Sequence, residues 1–83
     1  MKTIILSKDA EKDLDALPQK ARGAIEEALV SYALTGAGNV TRLVGRAGLR
    51  MRVGHYRVIL TEDGSTVLAV YIGRRNETTY GRH

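Results

Sequence analysis

Apolar and polar positions alternate most regularly between Leu49 and Leu60. Leu49, Met51 and Val53 are interleaved with Arg50 and Arg52, the period-two pattern of a strand with one apolar and one charged face. Gly54-His55 reads as a two-residue reversal, and Tyr56 to Leu60 as the returning strand of a hairpin. That register sets Val53 against Tyr56, Arg52 against Arg57, Met51 against Val58 and Arg50 against Ile59. Arg50, Arg52 and Arg57 then share one face.

Before this hairpin, Lys2 to Leu6 reads as a short strand. Ser7 is a helix N-cap, with Asp9 and Glu11 in the first turn, where acids suit the helix dipole. Ala10, Leu14 and Leu17 recur at helical spacing and predict a first helix of about ten residues. Pro18 ends it and suits the first turn of a second helix, whose stripe is Ala21, Ile25, Ala28, Leu29 and Tyr32 and whose stop is Gly36. Asn39 to Val44 is extended or loop. After the hairpin, Asp63-Gly64 suits a second tight turn, and Thr66 to Ile72 is an apolar strand expected to be central and buried on both faces. Pairing through that turn sets Val70 beside Arg57 and Leu68 beside Ile59, with Arg74 emerging near the end of the arginine face. The expected fold is α+β, in the order βααβββ: two antiparallel helices on a mainly antiparallel four-stranded sheet.

Eighty-three residues, 43% apolar and 27% charged, make a single domain spanning 1–83. Cysteine is absent, which removes disulfides and thiolate metal sites and fits a reducing, cytoplasmic setting. No apolar run approaches the length of a membrane span. The net charge is +4 and the pI 9.8, a balance that favours polyanions or an acidic protein partner. It is also unevenly spread. The helices mix signs, whereas from Arg42 onward eight arginines face only Glu62, Asp63 and Glu77, so one side of the domain is expected to be basic.

Like charges directly opposite one another across a sheet are destabilising, so Arg52 against Arg57 needs a reason beyond stability. An anion supplies one, because the arginine fork matches a phosphate and keeps its charge. The plainer alternative is a solvated basic face whose stems cover apolar surface. Past the last strand, Tyr80 offers a ring that could stack on a base, or could simply plug the fold. His55 and His83 lack metal-ligand spacing, and Gly45-Arg46-Ala47-Gly48 is not a phosphate loop. No nucleophile stands beside a base. Neither metal nor cofactor is expected.

The run Leu43-x-Gly45-x-x-Gly48-x-Arg50-x-Arg52-Val53-Gly54-x-Tyr56-Arg57-Val58-Ile59, preceded by helices around Leu17-Pro18 and followed by Gly73-Arg74-Arg75 to Tyr80, closely resembles the RelE/ParE superfamily of bacterial type II toxins over essentially the whole chain. The resemblance implies the compact βααβββ fold and a cognate antitoxin as partner. For the RelE branch it implies ribosome-dependent cleavage of mRNA, in which a ribose 2′-hydroxyl attacks the neighbouring phosphate. Arg57 matches the family's strand arginine at the scissile phosphate, Arg75 the basic residue that helps the leaving group, and Tyr80 the C-terminal tyrosine that stacks on a base. Arg50, Arg52 and Arg74 fall at substrate-binding positions. RelE-type enzymes often carry lysines where Arg50 and Arg52 stand; arginine is a poor general base, so these two read as phosphate clamps. Two rival readings differ in target: a ParE-like toxin of the same fold that poisons DNA gyrase, and a basic scaffold whose working surface is the groove that grips an antitoxin.

Overall fold

The computed structural model describes residues 1–74. The chain enters as strand β1 (Thr3–Leu6) and turns directly into helix α1 (Lys8–Asp15). Ser7 makes that turn possible: its extended backbone and its hydroxyl, which accepts from the Ala10 N–H at 3.1 Å, cap the helix start. Pro18, with no N–H to satisfy, stands at the head of helix α2 (Gln19–Thr35). Gly36 closes α2 in the left-handed region at φ 76°, its N–H donating to the Tyr32 carbonyl at 2.8 Å.

Four further strands follow: β2 (Val40–Arg42), β3 (Leu49–Val53), β4 (Tyr56–Asp63) and β5 (Thr66–Arg74). The sheet has five strands in the order β1-β5-β4-β3-β2, with β1 parallel to β5 and the other pairs antiparallel. The fold class is the expected α+β, with one strand more than expected. The addition is β2, a three-residue edge strand in the stretch left between strand and loop. Its return to β3 runs over Gly48, whose φ is 122° and where a Cβ would lie 3.1 Å from the Leu60 carbonyl oxygen and 3.2 Å from Leu43 Cδ1. Only glycine suits that position.

One core lies between the helices and one face of the sheet. Ala10 and Leu14 of α1 and Ile25 and Leu29 of α2 meet Met51, Val58, Leu60, Val67, Ala69 and Ile72. The helical side chains are those of the predicted stripes, four residues apart on each helix. No described element covers the other face of the sheet.

The β3–β4 hairpin has the expected register throughout, from Val53↔Tyr56 to Arg50↔Ile59. The β4–β5 hairpin does not. Asp63 pairs with Thr66, so Gly64-Ser65 forms the turn rather than Asp63-Gly64. The ladder then slips between Ile59 and Leu60: Leu60 pairs with Ala69 but Ile59 with Tyr71, leaving Val70 as the extra residue of a bulge. Arg57 consequently faces Gly73 and not Val70, and Ile59 faces Tyr71 and not Leu68. Strand β5 is interior, between β1 and β4, but it is buried mainly on its helix side; Leu68, Val70 and Tyr71 are only half-buried. The expectation of burial on both faces fails because both helices lie on one side.

Candidate nucleic-acid interface

Residues paired across neighbouring strands share a face, so the uncovered face can be laid out row by row. One row is Arg52, Arg57 and Gly73; the next is Thr41, Arg50, Ile59 and Tyr71. The three expected arginines thus lie together, Arg52 directly opposite Arg57 and Arg50 two residues along the same strand. Arg52 is exposed, whereas Arg50 and Arg57 are half-buried. Neither Arg50 nor Arg52 forms an ion pair among the described residues. Arg50 Nε is buried without a hydrogen-bond partner among those residues, a donor whose desolvation calls for an acceptor. Ile59 lies between Arg50 and Tyr71 and is 6% exposed although it faces away from the helices.

Arg74 is not part of this face. Gly73 shares the face of Arg57, so Arg74 projects to the helix side, level with Tyr56. Its guanidinium carbon lies 6.0 Å from the centroid of the Tyr56 ring, at the limit of a cation–π contact. The bulge at Val70 is the reason. One extra residue reverses which way every later side chain of β5 points.

The same reversal brings in Tyr71, a residue that the uninterrupted register would put on the helix side. Its ring runs along the strand so that its hydroxyl and outer ring carbons occupy the space where a Cβ of residue 73 would be. The available sequence signal was faint: a tyrosine two residues before a glycine, in a strand long enough to hold a bulge. Arg75, Tyr80 and His83 lie outside the described residues, so their expected roles are not placed. His55 is exposed in the Gly54-His55 turn.

At the other end of the domain, Lys2, Tyr32 and Glu62 form a separate cluster. Lys2 Nζ and the Tyr32 hydroxyl both donate to the Glu62 carboxylate. These hydrogen bonds hold the Glu62 carboxyl below its usual range, and the bond to Glu62 pushes the Tyr32 phenol up to about 12. A depression of about 290 Å³ lined by Arg42, Ala47, Gly48, Leu49, Thr61 and Glu62 lies at this end too, away from Arg52 and Arg57. Among the described residues no three His, Cys, Asp or Glu side chains gather in a metal-binding group. No described helix is long and apolar enough to cross a membrane.

The model of the ParE toxin of type II toxin-antitoxin systems matches residues 4–79. The chain belongs to that toxin family. Within the wider RelE/ParE superfamily, several solved structures share its fold. The RelE–RelB complex of Pyrococcus horikoshii has a chain that superposes with a TM-score of 0.78 at 20% identity, covering 93% of this chain and 98% of that one. The corresponding Methanococcus jannaschii complex gives 0.77 at 20% identity, over 95% and 98%. The isolated RelE toxin of Escherichia coli gives 0.70 at 16% identity, over 99% and 94%. No curated protein sequence matches the chain. The ParE-family toxin therefore has the expected superfamily fold, with its arginine face on the side of the sheet opposite the helices, where no other described element covers it.

Proposed function

We propose that this toxin is a ribosome-dependent endoribonuclease that cuts mRNA in the cytoplasm and is neutralised by a cognate antitoxin. The observation that carries the reading is the placement of Arg50, Arg52 and Arg57 on one face of the sheet, away from the helices, two of them directly opposed. Such a face lowers its own repulsion when a phosphodiester backbone enters. In the proposed reaction a ribose 2′-hydroxyl attacks the adjacent phosphorus, the 5′-oxygen leaves, and a cyclic phosphate remains. Arg57 offsets the charge that develops on the non-bridging oxygens, and Arg50 and Arg52 hold the flanking backbone. Arg75 and Tyr80 are assigned leaving-group and base-stacking roles from the superfamily resemblance alone. The relatives solved with RelB support an antitoxin as partner, and Val30 and Leu34, exposed one turn apart on α2, offer apolar surface to it.

The arginine set contains no convincing general base. The purified toxin is therefore expected to cut naked RNA poorly and to depend on the ribosome for geometry and proton transfer. Inducing the chain in bacteria should arrest growth and shorten translated messages within codons, mapped by primer extension. Arg57→Ala should reduce cleavage by roughly 100-fold or more, the scale seen when a donor to a developing oxyanion is removed, and Tyr80→Ala, which removes the stacking ring, should also relieve the arrest. The family model's ParE description favours one second reading, inhibition of DNA gyrase. Growth arrest with intact messages and cleaved or supercoiling-defective DNA would select it.

A further inference from the structure

Among the described residues the arginine face holds one aromatic hydroxyl, that of Tyr71, and its position depends on a missing side chain. Gly73 has no positive φ, so its backbone could be adopted by any L-residue. What it supplies is space: a methyl group at 73 would overlap the Tyr71 hydroxyl. Because Gly73 is the direct cross-strand partner of Arg57, a side chain there would stand about 5 Å from Arg57 at the Cβ level. The phenol of Tyr71 fills that place instead.

We infer that the Tyr71 hydroxyl is a binding arm of the phosphate site, donating a hydrogen bond to a phosphate oxygen of RNA that Arg57 also engages. The inference rests on the reading of the arginine face as an RNA site. A phenol both donates and accepts, and its rigid ring delivers the hydroxyl with two side-chain torsions to freeze. The arginines attract a phosphate from any direction, whereas a single donor laid beside Arg57 fixes which oxygen faces the sheet. Gly73 is then a positioning residue: it lets the ring lie along the strand, so that the hydroxyl sits over residue 73, the cross-strand partner of Arg57.

The test uses the purified full chain and a fluorescently labelled single-stranded RNA oligonucleotide with 2′-methoxy groups, which binds without being cut. Anisotropy titrations would compare the parent with Tyr71→Phe, Gly73→Ala, the double variant and Arg57→Ala. Tyr71→Phe keeps the ring over the strand, so its Tm should match the parent while RNA binding weakens about tenfold, the scale of one hydrogen bond to a charged group. Gly73→Ala should weaken binding comparably by displacing the hydroxyl, and the double variant should be no worse than the weaker single one. Parent-like binding by Tyr71→Phe, with weakened binding by Arg57→Ala, would overturn the role of Tyr71 and leave the arginine site standing. Unchanged binding by Arg57→Ala would remove the RNA site and the inference with it. If Gly73→Ala fails to fold, Tyr71→Phe decides alone.

Discussion

At the residue scale, two arginines stand directly opposite one another in the sheet. The pair Arg52–Arg57 works against folding, since like charges in direct cross-strand register repel. Stability and binding should therefore separate at Arg52, the exposed member. Arg52→Thr puts a β-branched residue with good strand propensity in its place. At low salt it is expected to raise stability by a few tenths of a kcal/mol while weakening RNA binding; urea unfolding and RNA titration of one preparation would read both. Loss of stability together with unchanged binding would mean that the arginine serves packing. Arg50 differs because its stem lies beside Ile59, so its removal uncovers apolar surface as well as deleting charge. The placement of these arginines was legible in the sequence because a two-residue turn couples strands only a few positions apart, and alternation does the rest.

At the scale of elements, the junction of β1, α1 and β5 determines where the bulge falls. The parallel pairing of β1 with β5 ends at Leu6↔Ala69, which leaves the later backbone groups of β5 without a strand neighbour on that side. Helix α1 supplies partners from its own side chains. The Ser7 hydroxyl donates to the Val70 carbonyl at 3.3 Å, and Asp13 Oδ2 accepts from the Ile72 N–H at 3.1 Å. Ser7 thus caps a helix and ties down the bulged residue at once. Ser7→Ala is expected to cost about 1–2 kcal/mol, the range of a lost N-cap, measured as a lower urea midpoint with an unchanged m-value. A cost near zero would show that neither bond contributes. This junction was hidden from sequence reading. Ser7 and Asp13 were visible as cap and helix residue, but nothing local says that a strand some sixty positions later will bring its backbone to them.

Across the whole molecule, the Lys2–Tyr32–Glu62 cluster ties the start of the chain to α2 and to the end of β4. Its pH dependence follows from the two shifts. The Glu62 carboxyl is held below its ordinary 4.5, so its stabilising part is present above that pH and is lost as the pH falls through the lowered value. The Tyr32 phenol is raised from 10.0 to about 12, so its part is intact below pH 10 and disappears as the pH climbs towards 12. The cluster is solvent-exposed, which limits its contribution. Glu62→Gln is expected to lower stability at pH 7 by less than about 1 kcal/mol, with the difference from the parent shrinking below about pH 4. A difference that stays constant with pH would assign the effect to packing instead of charge.

Local pattern by itself determined the two helices, their caps at Ser7 and Gly36, the β3–β4 hairpin and the grouping of Arg50, Arg52 and Arg57. Each of these depends on residues within a turn or a hairpin of one another, where periodicity and backbone preference decide. Only the tertiary structure decided that β1 pairs with β5, that β2 joins the edge, and that a bulge at Val70 exchanges Arg74 for Tyr71 on the open face. A bulge adds one residue to a ladder without marking the composition, and its place depends on backbone groups brought together from the two ends of the chain. The side chains beyond it change sides for that reason alone.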